Sequence, residues 1–333
     1  MNEAETKVDV ASIERQLAEL WRAEKQDGER AVTRAALWNV VAHTASAAAH
    51  SHATDVLSRA SAKVPQRTIV VEADPHGKDD IASWISANCH LIGGGRQVCS
   101  EEVVIVAAGA RVDHVPPLVS ALLLPDMPVA VWWLGDLPDE HHYVEMLLDP
   151  ADRLIVDSSQ FNDRADLELV SRIGEQTTTA PADLNWARLD EWRAATAALF
   201  DPPAMRERLR NIRRLRVMSG GDGSFGASAE ALLYVSWLMA QTATEIEFEF
   251  VARSQDPGIG AVEVHFDGSV ATLRQERERG VVVASADGVE TSVDCITRSL
   301  ARETEELIVR LLKRPEADRV YLKTLKVARR LAA

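Results

Sequence analysis

Cysteine is scarce, with Cys89, Cys99 and Cys295 the only three in 333 residues. So small and odd a count excludes a disulfide-built secreted scaffold, and the thiols are expected to be buried as small apolar side chains, with a redox role for Cys89 and Cys99, which requires a short Cα separation, as the competing reading. Basic charge is also in deficit. The 37 Lys and Arg stand against 51 Asp and Glu, leaving a net charge of −14. General nucleic-acid binding and adhesion to anionic membranes both need a basic surface, so neither is expected. No apolar run approaches the roughly 18 to 20 residues that cross a bilayer, and the opening stretch has no basic and apolar leader pattern. The expectation is a cytoplasmic protein. Catalytic signatures are missing too: there is no G-x-S-x-G, H-E-x-x-H or Walker motif, and no close His or Cys pairs to hold zinc. No catalytic residue and no metal site is assigned.

What is present is a globular composition, 46% hydrophobic and 26% charged, in a chain long enough for two domains. In "VDVASIERQLAELWRAE", Val10, Ile13, Leu17, Leu20 and Trp21 recur at helical spacing, with Asp9 placed as the cap. Apolar or β-branched runs then alternate with helical patterns: "ALWNVVAH", "RTIVVEA", "QVCSEEVVIVAA", "MPVAVWWLG" and "RLIVDS" as strands; "SHATDVLSRASAK", "DDIASWISANC", "VPPLVSALLL" and "DRADLELVSRI" as helices. Such alternation implies crossovers, and hence an α/β domain over residues 1–180, a mostly parallel sheet flanked by helices. A connecting helix is expected over 181–203. Residues 204–333 read as a smaller α+β domain whose strands, from "EIEFEFVAR" onward, form an antiparallel meander before two closing helices.

Three stretches carry candidate chemistry. Gly221, Gly223 and Gly226 follow a strand and precede a helix in G-x-G-x-x-G spacing. That spacing suits a dinucleotide site only inside a parallel βαβ unit, and the meander expected here, with Asp222 in the loop, favours a structural loop. In "PVAVWWLGD", Trp132 and Trp133 must face opposite sides of a strand, so that Trp133, Gly135 and Asp136 mark its carboxyl end, where α/β sheets place ligands. Arg96, after Gly93 to Gly95, is a candidate anion contact for the same ligand crevice. A plain strand end and a plain loop are the competing readings. Finally, "MRERLRNIRRLRVM" gathers Arg206, Arg208, Arg210, Arg213, Arg214 and Arg216. These guanidinium groups serve either a partner's acidic or phosphorylated surface or this chain's own carboxylates.

Taken in order, "AVTRAALWNVV", "GGGRQVCSEEV", "LLLPDMPVAVWWLGDLP", "DRLIVDSSQF" and "DLNWARLDEWRAATAALFDPP" resemble the glucose-6-phosphate dehydrogenase assembly protein family, OpcA. The resemblance covers roughly residues 8 to 220. It implies a non-catalytic protein that binds glucose-6-phosphate dehydrogenase, promotes its active oligomer and supports the oxidative pentose phosphate pathway, with NADP belonging to the partner and no cofactor of its own. Since interfaces favour Trp and Arg anchors, Trp186, Arg188, Trp192 and Arg193, with Arg206, Arg210 and Arg213, are the candidate partner contacts. Burial in the core is the competing role for the two tryptophans. The alternative function is a sugar-phosphate or nucleotide enzyme working at the strand-end crevice.

Overall fold

The computed structural model describes residues 10–26, 32–34, 36–92, 96–138, 141–221, 223–252, 258–276, 278–286, 289–294 and 300–332. Asp9, Gly93 to Gly95, Asp222 and Cys295, singled out above, lie outside the described residues, as do the side chains of Leu20, Trp21 and Arg96.

Along the chain, the strands are β1 (Val32–Arg34), β2 (Trp38–Thr44), β3 (Gln66–Asp74), β4 (Asp80–Ile92), β5 (Arg96–Ala108), β6 (Val129–Trp133), β7 (Arg153–Val156), β8 (Ala180–Asp183), β9 (Arg214–Gly220), β10 (Glu247–Ala252), β11 (Gly258–Phe266), β12 (Ser269–Glu276), β13 (Val281–Ala286) and β14 (Val289–Asp294). The helices are α1 (Val10–Gln26), α2 (Ala47–Ser61), α3 (Val115–Leu122), α4 (His141–Leu148), α5 (Arg164–Gln176), α6 (Leu184–Arg188), α7 (Asp190–Phe200), α8 (Pro203–Arg208), α9 (Phe225–Thr242), α10 (Leu300–Leu312) and α11 (Arg319–Ala332). They fall into two compact units. The first holds residues 1–156, 178–180 and 300–316, and the second holds 157–177, 181–299 and 317–333.

In the first unit, β5, β3, β2, β6 and β7 run parallel in that order, with the short β1 parallel to the start of β5. Every residue of β2 is buried, as a strand covered on both faces must be. Helix α2 follows: Ser46 caps it by accepting from the Ala49 N–H, and Ala53, Val56, Leu57 and Ala60 repeat at helical spacing to bury one stripe. On α1, Ile13 and Leu17 are buried. The buried Arg67 of β3 bonds Glu101 on β5, Glu14 on α1 and the Leu122 carbonyl of α3, tying three elements to one side chain. Helix α10 returns to this unit late in the chain. Its Glu305 bonds Arg59 and Lys63, and Arg153 of β7 donates to the Arg314 and Glu316 carbonyls just beyond the helix.

Two expectations are corrected here. "DDIASWISANC" is not a helix but most of β4, which pairs antiparallel with β5 over 13 residues. Its Ile81, Ser83 and Ile85 alternate with Ala82, Trp84 and Ser86, a period of two that the small residues disguise as helical. That register sets Cys89 directly opposite Cys99, Cα atoms 4.0 Å apart, and the two are joined by a disulfide instead of lying free as thiols.

The second unit carries a six-stranded sheet in the order β10-β9-β11-β12-β13-β14. From β9 through β11 to β14 it is an antiparallel meander, but β10 corrects the expected pattern by pairing parallel to β9. Strand β9, helix α9 and strand β10 therefore form a βαβ unit, whose helix is buried nearly all round, from Ala229 to Met239. The single connecting helix expected over 181–203 is two helices, α6 and α7, broken at Leu189.

Candidate functional site

The strand order places a switch point between β2 and β6, because the chain leaves β2 for β3 on one side and adds β6 and β7 on the other. Ligands of open α/β sheets settle at the carboxyl ends of the strands at such a point. Here that place is filled. His43 and Trp133 are paired in register, so they share one face, and their rings stack at 3.8 Å and 16°. Tyr143 of α4 meets His43 edge-on at 5.5 Å. Neither His43 ring nitrogen nor the Tyr143 hydroxyl has a hydrogen-bond partner among the described residues. Burial pushes the His43 imidazole down to about 3 and, with Asp113, raises the Tyr143 hydroxyl, so both stay neutral at physiological pH. Trp133 donates to the Asp136 carbonyl at 2.9 Å around a turn that Gly135 makes at φ +87°. Trp132, on the other face, is buried as the alternation requires.

The turn after β2 reads Thr44, Ala45, Ser46, without the glycines that let backbone approach a pyrophosphate. Arg96 begins β5, and so stands toward the amino ends of the parallel strands while Trp133, Gly135 and Asp136 stand at a carboxyl end. The structure does not bring Arg96 to the crevice.

The glycine loop of the second unit does lie between two parallel strands, contrary to the meander expected around it. Its last glycine has a packing reason. A Cβ on Gly226 would stand 2.3 Å from the Ser159 carbonyl oxygen, so only glycine lets the start of α9 approach the turn Ser158–Gln160. Ser224 caps α9 by accepting from the Ala227 N–H.

The Trp and Arg motif organises a buried polar cluster in the same unit. Asp183 caps α6, accepting from the Asn185 N–H at 2.8 Å and from the Ser158 N–H at 3.0 Å. Arg188, one turn on, reaches back to grip both oxygens of Asp157, at 2.8 and 2.9 Å. Burial works against a charge on Asp157, but the Arg188 fork and Ser159 outweigh it and hold the carboxyl below its usual range. Asp183 has no such cation. Burial and the neighbouring Asp157 charge push it up to about 6, while the Tyr321 hydroxyl of α11, itself raised by burial and by Asp183, donates to it at 3.3 Å.

Trp186, 3% exposed, donates to Asp318 at 2.9 Å and lies 3.5 Å beneath the Arg193 guanidinium, which also pairs with Asp190. Trp192 is 4% exposed. Both tryptophans and both arginines are thus engaged within their own unit. Asp157, Asp183, Asp318 and Tyr321 escaped the sequence reading. The cap position of Asp183 was the one local signal, since the other partners are distant in sequence.

The arginine-rich segment divides. Arg213 pairs with Asp267, Arg214 with Glu249, and Arg216 with Glu249 and Glu263, within the same unit. Arg206 bonds the Asp201 carbonyl at an exposed position, and Arg208 lies 4.3 Å over Phe266. Arg210 is exposed and has no partner among the described residues.

Among the described residues no group of His, Cys, Asp and Glu converges to hold a metal, and no helix is long and apolar enough to cross a membrane.

Two family models match this chain. The glucose-6-phosphate dehydrogenase subunit N-terminal domain matches residues 57–172, and the corresponding C-terminal domain matches 179–325. OpcA of Synechocystis sp., named as an OxPP cycle protein, is 30% identical over 201 residues, 59% of this chain and 40% of that one. OpcA of Synechococcus elongatus, named likewise, is 32% identical over 180 residues, 53% of this chain and 39% of that one. The matched region thus spans less than half the length of these relatives. Among solved structures, the 3-ketoreductase KijD10 from Actinomadura kijaniata, in complex with NADP and TDP-benzene, aligns with a TM-score of 0.46 at 9% identity over 87% of this chain and 94% of that one. With its N-terminal and C-terminal domain models matching consecutive stretches of the sequence, the chain belongs to the OpcA family.

Proposed function

We propose that this chain is a non-catalytic assembly factor for glucose-6-phosphate dehydrogenase, acting in the cytoplasm and serving the oxidative pentose phosphate pathway. The observation that carries the reading is the match of both family domains, each described as part of a glucose-6-phosphate dehydrogenase subunit. The filled switch point supports it. A neutral stack of His43, Trp133 and Tyr143 offers no charge for a sugar phosphate. That weighs against the alternative of an enzyme working there. An assembly factor raises its partner's activity by binding the active oligomer more tightly than the inactive form, and by no more than that difference in affinity.

On this reading Trp186, Arg188, Trp192 and Arg193 set the shape of the second unit, and the exposed Arg206, Arg210 and Arg213 meet acidic groups of the dehydrogenase. The test is the activity of the cognate dehydrogenase over a range of glucose 6-phosphate concentrations, with and without this protein, alongside co-elution on a sizing column. A lower KM or higher kcat in the mixture alone, weakened when all three arginines are replaced by glutamate, is the expected result. Turnover by this protein alone, or a mixture that neither co-elutes nor differs from the dehydrogenase, overturns the reading.

A further inference from the structure

Strand β10 is an edge of the second sheet, paired with β9 alone among the described residues. Every second residue of such an edge turns its N–H and C=O outward, ready to pair with another strand. Natural edges are commonly blunted by lysine or proline, and β10 carries neither: its sequence is Glu-Phe-Glu-Phe-Val-Ala. The alternation gives the edge two chemically different faces. Phe248 and Phe250, register partners of the core residues Leu215 and Val217, lie on the helix-covered face, with ring centroids 5.3 Å apart. They border an open groove of about 420 Å³, walled also by Phe225, Leu232 and Leu331, and Phe250 remains 38% exposed. Glu247 and Glu249 lie on the opposite face. Their register partners on β9 are Arg214 and Arg216; Glu249 is ion-paired to both, whereas the exposed Glu247 makes no ion pair among the described residues.

We infer that β10 is a docking edge for an extended segment of another protein in which basic and apolar residues alternate. Such a segment, added alongside β10 in either direction, sets its apolar side chains against Phe248 and Phe250, over the groove, and a cation against Glu247. Aromatic-apolar and opposite-charge pairs across neighbouring strands are both stabilising, and the main-chain ladder supplies affinity independent of sequence. A second copy of this chain fits less well. The antiparallel self-pairing that opposes Phe248 to Phe250, and the reverse, also opposes Glu249 to Glu249, and like charges directly opposite are destabilising.

The experiment measures fluorescence anisotropy of labelled, end-capped hexapeptides against the full chain. One peptide alternates lysine and valine, one holds the same residues as two blocks, one alternates glutamate and valine, and one is the first with N-methyl groups on alternate amides. The alternating basic peptide is expected to bind, and the blocked and N-methylated ones to lose most of that binding. Glu247→Lys, at an exposed position, is expected to weaken the basic peptide about fivefold and to strengthen the acidic one comparably, the upper range for one cross-strand charge pair. Phe250→Ser is expected to weaken both alternating peptides. Equal binding of alternating and blocked peptides, indifference to N-methylation, or an unchanged preference in the Glu247→Lys protein overturns the inference. So does a concentration-dependent dimer of the free chain that Phe250→Ser dissolves, which would give the edge to a second copy.

Discussion

Each unit holds a buried ion pair, Arg67 with Glu101 in the first and Arg188 with Asp157 in the second, and each also buries an ionisable group that has no opposite charge beside it, His43 and Asp183. In the first, His43 is stacked on Trp133 and met edge-on by Tyr143, with both nitrogens unpaired among the described residues, and burial alone keeps it neutral. In the second, Asp157 keeps its charge because Arg188 grips it, while Asp183 beside it is biased toward the protonated form and shares Tyr321. Of the residues most suggestive of a site in the sequence, Arg188 holds the buried charge of Asp157, while Trp186 bonds Asp318 and Trp192 is buried. The residue most suggestive of chemistry in the structure, the unpaired His43, occupies the place a ligand would take.

The sharpest break is Arg188→Met. It leaves the Asp157 carboxylate buried without a cation, and loss of one partner of a buried pair destabilises by about 3 to 5 kcal/mol. The urea midpoint is expected to fall accordingly, with much of the loss recovered when Asp157→Asn is added. A single variant that unfolds like the parent shows the pair to be dispensable.

Acid titration sets Asp183 and His43 apart by sign. Asp183 rises from 3.8 to about 6 on folding, so the folded state binds the extra proton. Its contribution is therefore full below pH 3.8 and lost as pH rises through 6, about 3 kcal/mol in all. His43 falls from 6.5 to about 3, so it is the unfolded state that binds the extra proton. Stability from this group is full above pH 6.5 and declines as the solution is acidified, by about 2 kcal/mol at pH 5. Hydrogen exchange followed peptide by peptide from pH 4 to 7 reads each unit separately. Asp183→Asn is expected to flatten the response of the second unit, and His43→Phe that of the first. Identical slopes in parent and variant would remove the distinction.

The smallest effect is expected at Arg213, whose partner Asp267 is equally exposed. Arg213→Ala should leave the unfolding midpoint where it was, because exposed ion pairs contribute little. A clear drop would mean that this pair is held in a way its exposure hides.

Much of the fold was legible because long apolar runs such as β2 and β6 announce strands covered on both faces. Strand β4 was not, since Ala82, Ser83, Ser86 and Ala87 are as compatible with a helix, and the Cys89 and Cys99 pairing was hidden with it. The Glu-Phe alternation of β10 signalled a half-exposed strand without revealing that its neighbour runs parallel. The Trp and Arg motif was conspicuous, but its roles depend on Asp157, 31 residues before Arg188, and on Asp318, 132 residues after Trp186. Local patterns do not encode such long-range pairs.

The return of α10 to the first unit bears on how this protein is made. Chains leave the ribosome amino end first, and domains generally fold in that order as they emerge. Here the first unit cannot finish when residue 156 appears, because the helix that neutralises Arg59 and Lys63 and the carbonyls that receive Arg153 belong to residues 300–316. Almost the entire second unit is synthesised in the interval. The nascent first unit must wait with a buried-to-be arginine and a bare helix face, a stretch of time in which a chaperone has something to hold.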